Sequence, residues 1–205
     1  MVSVGEAYRS TTKPADLRLA DYKQIPFVPM EMMPNEYPYF TEYLPRTRDD
    51  ISSGAYFEPG DLLVAKITPS FENGKQGIIN ELPTPFGIAT TEVIPVRPIP
   101  GFSDRLFLFY HLLRKEVRAE LAGMMEGTTG RQRLKKSVLT THRMPLPPVD
   151  EQHQISTVLF NCDVKIASLL KEVNVLEEFF RAMLEELMTG RLSVAPLLEG
   201  GNDHE

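Results

Sequence analysis

The sequence predicts an α+β protein: a mixed, mostly β domain over residues 1–148, a long coiled-coil helix over 149–190 and a tail over 191–205. Three observations carry this. Short apolar runs rich in β-branched residues fill the first hundred residues, bounded by prolines and glycines. One amphipathic segment follows near 104–125. Beyond Pro147-Pro148 the apolar residues alternate spacings of 4 and 3 for more than four heptads.

In chain order the strands come first. "IPFVPM" (25–30), "DLLVAKI" (61–67), "QGIIN" (76–80) and "GIATTEVIPV" (87–96) have strand composition. Gly60-Asp61 and Asn73-Gly74 mark turns between them. Pro26, Pro29 and Pro95 cannot donate to a ladder, which places them at strand ends, edges or bulges. Ser103 is positioned to cap a single helix over 104–125, where Leu106, Phe109, Tyr110, Leu113, Val117 and Leu121 share a face. Arg114, Lys115 and Arg118 lie on its other face, and Gly123 or Gly127 is the expected stop.

The last element is a different physical object. Ile155, Leu159, Cys162, Ile166, Leu169, Val173, Leu176, Phe180, Met183 and Leu187 form the 3.5-residue repeat of a left-handed coiled coil. Asp150 and Glu151 suit the positive end of such a helix, and Gly190 lies just past its other end. From 150 to 188 it would be about 58 Å long at about 1.5 Å per residue. A globule of about 150 residues is only about 30–40 Å across, so a partner helix is a better cover for the stripe than the chain's own domain. Leu170, Phe179 and Leu184 widen the stripe beyond a two-stranded seam. Cys162 serves in it as a small apolar residue.

Composition excludes several classes. Hydrophobic content of 42% and charge of 24% are ordinary globular values. No apolar run reaches the roughly 18 residues needed to span a bilayer, and residues 1–10 lack the basic and apolar parts of a signal peptide. One cysteine suits a reducing cytosol, so a cytoplasmic protein is expected. Cys162 and the four scattered histidines have no metal-ligand spacing, so no metal and no cofactor are expected. GxSxG, Walker, HExxH and GxGxxG patterns are absent. "LPPV" (146–149) is only superficially like the catalytic tetrapeptide of amino-methyltransferases: Leu146 and Val149 can neither contact an amine nor stack on a base. The prolines make a stiff joint instead.

The net charge of −6 divides unevenly. Residues 149–205 hold 4 Lys/Arg against 11 Asp/Glu, while residues 1–148 hold 18 against 17. Within the latter, 127–144 carries Arg131, Arg133, Lys135, Lys136 and Arg143 without an acid. Binding follows the local field. A solvated basic turn and a phosphate-binding loop both fit this charge pattern.

"MPLPPVDEQHQI" (144–155), the heptad helix and "LMTGRLSV" (187–194) together resemble the specificity subunit of type I restriction-modification enzymes. "GDLLVAKI" (60–67), "TTEVIPVRP" (90–98) and "TTGRQRL" (128–134) resemble the same family's target recognition domain. The resemblance implies a non-catalytic protein that binds double-stranded DNA and seats adenine-methyltransferase subunits, to which restriction subunits can be added. Complete members carry two recognition domains and two conserved helices, packed antiparallel. With one of each, this chain is either a natural half-size subunit or a fragment. A half-size chain would pair with a second copy as an antiparallel homodimer and read a palindromic bipartite site with an unread gap.

For phosphate contacts the candidates are Arg131, Arg133, Lys135 and Lys136, with Thr128, Thr129 and Gly130 letting the backbone approach closely. For base edges they are Asn73, Lys75 and Gln76 on loop 68–76, the flanking Lys66, and Gln132. A plain hairpin turn at Asn73-Gly74 is the competing reading of that loop. The aromatic-rich stretch 32–46 is left without a role. Glu172, Glu178, Glu185 and Glu186 are outer helix charges, either solvated or contacts for methyltransferase helices. Two other classes compete with DNA recognition: a coiled-coil adaptor whose mixed domain binds protein, and an enzyme with an unrecognised site.

Overall fold

The computed structural model describes residues 1–35, 37–128 and 130–195. The chain opens with β1 (Val2–Ser3), a single turn α1 (Val4–Ala7) and β2 (Tyr8–Ser10). Seven strands follow: β3 (Ile25–Val28), β4 (Leu44–Arg46), β5 (Ala55–Phe57), β6 (Leu62–Ala65), β7 (Gln76–Ile78), β8 (Gly87–Ala89) and β9 (Val93–Pro98). Then come α2 (Arg105–Leu113), α3 (Lys115–Gly123), β10 (Glu126–Thr128), β11 (Arg131–Arg133), α4 (Lys136–Thr141), β12 (Arg143–Met144) and α5 (Val149–Met188). The chain is therefore α+β, as its pattern predicts.

Two four-stranded sheets make the body. One has the order β2-β9-β6-β7 and is antiparallel throughout. The other has the order β4-β3-β8-β5, with β3 and β8 parallel. Residues of β6 alternate between two cores, as a strand's period of 2 requires. Leu62 and Val64 pack with Leu108, Phe109, Leu112, Val117 and Leu121 of the helices. Leu63 packs with Val28, Phe57 and Ala89 of the second sheet. Being covered on both faces, β6 is apolar at every position, which is why "LLVA" lacks the alternation of a half-exposed strand. A third cluster, with Ile25, Phe86 and Ile88, covers the second sheet's other face.

Several expectations need correction. The helix at 104–125 is two helices, broken at Arg114 by an extended ψ of 129°. The break lets apolar residues on both sides, Leu112 and Val117 among them, reach one core. Asp104, not Ser103, caps α2 by accepting from Phe107 N at 2.8 Å. The buried Ser103 hydroxyl instead donates to Ala7 O at 2.6 Å. The run 87–96 is likewise two strands, β8 and β9, of different sheets. Pro95 lies inside β9 but opposite Thr11, where the ladder with β2 ends, so its missing N–H breaks nothing. The unassigned stretch 32–46 is largely anchoring: Met33 and Phe40 are core residues, and Arg46 lies 4.0 Å over the Phe27 ring.

The helix beginning after the prolines is continuous from Val149 to Met188, with Gly190 in left-handed geometry just beyond. Its first turns belong to a compact unit, Met1–Phe160, and a second unit starts at Asn161. The compact unit thus runs past the helix start at Val149 as far as Phe160. Gln152 explains this. Fully buried, its Oε1 accepts from Asp104 N (3.0 Å) and its Nε2 donates to Pro147 O (2.8 Å) and Phe102 O (3.1 Å). Ser156 Oγ donates to Asp104 Oδ1 at 2.7 Å, and the Phe160 ring meets Tyr39 edge-on at 5.3 Å.

A pair of core histidines supplies a pH dependence. His111 Nε2 and His142 Nε2 are 3.0 Å apart, and Glu120 lies 3.5 Å from His142 Nδ1. Burial, then His142 and Arg114, push His111 down to about 4. Because the unfolded chain takes this proton near pH 6.5, folding stability falls as pH drops below about 6.5 and the loss levels off below about 4. His111→Gln is expected to flatten the decline of the urea midpoint between pH 7 and 4.5. An unaltered decline would assign it to other groups.

Candidate nucleic-acid interface

The stretch expected to be a basic loop is an ordered ribbon. β10 and β11 pair antiparallel with Glu126 opposite Arg133, Gly127 opposite Gln132 and Thr128 opposite Arg131. Gly130, at φ +79°, makes the left-handed step that turns the chain back. Gly127 must also be glycine, since a Cβ there would sit 2.4 Å from Arg131 O. Two residues apart on one strand, Arg131 and Arg133 share a face and both are exposed, while Gln132 takes the other face. Leu134 is buried and anchors the ribbon's end. Lys135 and Lys136 then start α4, adding positive charge at the positive end of a helix. Helix stability alone does not favour that placement. Thr129 lies outside the described residues.

The ribbon is joined to the β6–β7 connection. Ile67 bridges to Arg133, Leu134 N donates to Lys66 O at 2.7 Å, and Thr68 N donates to Gln132 O at 3.1 Å. That connection is not a two-residue hairpin turn at Asn73-Gly74. It is a compact helical turn, with Phe71 N bonded to Ile67 O and Asn73 N to Pro69 O, and Phe71 buried beneath it. The Arg118 side chain lies against Gly74, where a Cβ would meet its guanidinium at 2.7 Å.

This geometry divides the base-reading candidates. Asn73 is exposed, and Gln132 lines a cleft. Lys66 is half-buried beside Arg133 and Glu92. Burial and the Arg133 charge lower its pKa, and Glu92 opposes them. Gln76 does not line that cleft. It is 3% exposed, and its Nε2 donates to Phe109 O at 2.8 Å. Lys75 is also turned inward, donating to Met30 O at 2.7 Å. The turn signal places both on a loop, but β7 begins at Gln76 and its pleat sends that side chain into the core. Gln76→Ala is therefore expected to lower stability by about 1–3 kcal/mol, leaving Phe109 O without that donor. Denaturant titration measures this, and a relaxed DNA specificity at unchanged stability would contradict it.

Between ribbon and connection lies a cleft of about 360 Å³, lined by Thr68, Gly130, Arg131, Gln132 and Arg133, with Glu92 at its edge. Sequence reading missed Thr68 and Glu92. Glu92 Oε1 is 3.3 Å from Arg133 Nη2, and Glu126 is 2.6 Å from Lys135 Nζ. The Lys135–Glu126 pair is exposed on both sides, so it is weak and can exchange for a stronger anion, whereas in the other pair Glu92 is half-buried and Arg133 exposed. Arg131 and Lys136 make no ion pair among the described residues. Those residues also hold no cluster able to bind a metal and no helix long and apolar enough to cross a membrane.

Fold and site together define a mixed α+β domain with one cationic ribbon, carried at the start of a long helix. The sequence model of the type I restriction modification DNA specificity domain matches residues 3–178, and the chain belongs to that family. It is 31% identical over 172 residues to the type I restriction enzyme EcoEI specificity subunit of Escherichia coli. It is 26% identical over 174 residues to the EcoAI specificity subunit of the same organism. These matches cover 82% and 84% of this chain but 29% of each relative, so the chain spans well under half of their length. Two solved structures share the fold. A chain of a type I R-M system has a TM-score of 0.59 at 19% identity, over 90% of this chain and 44% of that one. The HsdS subunit from Thermoanaerobacter tengcongensis has a TM-score of 0.55 at 20% identity, over 93% and 45%.

Proposed function

We propose that this protein is a non-catalytic, sequence-specific DNA-binding specificity subunit. It would seat adenine-methyltransferase subunits, to which restriction subunits can be added, on a bipartite site in double-stranded DNA. The observation that carries this reading is the cationic ribbon, hydrogen-bonded to the Lys66–Thr68 segment so that the phosphate-seeking Arg131 lies beside groups able to read bases, Arg133 and Gln132 among them. Type I specificity subunits among its relatives support it.

The long helix supports pairing with a second copy. Ile155, Leu159, Leu176 and Phe180 are exposed, the last by 65%, and Met183 and Leu187 are half-buried. Run antiparallel about residue 171, the stripe is self-complementary: Ile155 meets Leu187 of the other copy, Leu159 Met183, Ile166 Leu176 and Leu169 Val173. The small Cys162 then falls opposite the large Phe180. Antiparallel pairing puts the two helix starts, and so the two reading domains, at opposite ends. The gap between half-sites is then a length set by packing.

Methylome sequencing with and without this chain, in cells carrying its methyltransferase, tests the function. A bipartite, palindromic adenine motif should appear and vanish as a unit, and its absence from both would remove the reading. An adaptor would show no salt-dependent affinity for duplex DNA. Arg131→Ala with Lys136→Ala is expected to weaken binding to all sequences and to flatten the salt slope by about 1–2 units. An unchanged slope would take both residues out of the interface.

A further inference from the structure

We infer that Glu92 and Arg133 form one reading device, specific for a C·G base pair in each half-site; this deepens the DNA-binding reading and rests on it. A carboxylate on a cationic surface repels phosphate, so Glu92 is out of place if the cleft only binds backbone. Its position is built. Lys66 N donates to Glu92 O at 2.9 Å, and Leu134 N donates to Lys66 O. Glu92, Lys66 and the end of β11 therefore lie side by side on adjoining stretches of backbone, and the carboxylate stands at the edge of the ribbon cleft.

The spacing matches one base pair. Glu92 Oε1 accepts and Arg133 Nη2 donates, 3.3 Å apart. In the major groove, the N4 amine of cytosine donates and O6 of its guanine partner accepts, and the two are hydrogen-bonded to each other at about 2.9 Å. An acceptor-donor pair of that width can face them together, Glu92 on N4 and Arg133 on O6 and N7. An A·T pair offers a similar amine beside thymine O4, but not the guanine O6/N7 edge that arginine takes with two bonds. Glu92 is also only 31% exposed and Arg133 65%, so the acid is the more closely held of the two while the guanidinium has room to turn outward.

The test compares methylomes of cells carrying the methyltransferase with this chain, with Glu92→Gln or with Glu92→Ser. The expected result is a motif that keeps both halves and its gap but loses discrimination at one C·G pair in each half, by about 5- to 150-fold. Fluorescence competition between duplexes changed one base pair at a time should give the same position. Far-ultraviolet circular dichroism melting checks that each variant is folded; should one not fold, the other carries the comparison. A motif unchanged in both variants, or relaxation at an A·T pair, would overturn the assignment. If the unaltered chain directs no bipartite motif at all, the DNA-binding reading itself fails, which is a distinct outcome.

Discussion

Replacing both Val173 and Leu176 with glutamate is expected to turn the proposed dimer into a monomer. In the antiparallel arrangement Val173 faces Leu169 and Leu176 faces Ile166 of the other copy, so the double variant puts four carboxylates into one apolar seam. Each would lose hydration without gaining a cation, at an effective penalty of several kcal/mol per ion. The dissociation constant should rise by more than about a thousandfold, equivalent to about 4 kcal/mol. Sedimentation velocity gives the mass directly, and a double variant that remains dimeric would move the seam elsewhere. Oxidative crosslinking gives the direction. Antiparallel chains keep the two Cys162 thiols apart, whereas Phe180→Cys brings a thiol opposite Cys162 and should link the copies. A disulfide dimer of the unaltered chain would mean parallel helices.

Asp61→Ala is expected to have the largest effect on the N-terminal unit. Asp61 is 1% exposed, and its Oδ1 and Oδ2 take Arg97 Nε and Nη2 at 2.8 and 3.1 Å. Oδ2 also accepts from Glu58 N at 2.8 Å, closing the turn before β6. Breaking a buried pair costs about 3–5 kcal/mol because the surviving charge stays desolvated. Arg97 is a third exposed and keeps Glu58 at 2.8 Å, so the low end, about 3 kcal/mol, applies. That corresponds to a Tm lower by roughly 6–12 °C for a chain of this size. A thermal melt that moves by less than about 2 °C would show that Glu58 and Arg97 carry the turn by themselves.

Where the physics is local, the sequence was legible. The heptad stripe and the proline stop determined α5 to within a residue or two, because apolar period and a missing N–H act on the chain whatever surrounds it. β3, β6 and β7 were legible for the same reason. The break at Arg114 was not, since it follows from two helical faces having to reach one core. The ribbon of 126–133 has the composition of a loop because its strands are exposed and polar; its pairing with Ile67 is a contact between residues more than sixty positions apart.

For the site, composition shows a run of cations in 127–144 but cannot say which way a side chain points. Gln76 and Asn73 look equally able to read adenine as letters. The pleat of β7 buries one, and the turn before it exposes the other. Glu92 is invisible as a candidate until the sheet sets it beside Lys66 and Arg133. Sequence by itself thus determined the fold class, the long helix with its apolar stripe and the local charge. Only the tertiary structure decided which polar groups face the cleft and which are spent on the core, because strand register, unlike composition, is settled by contacts far apart in the chain.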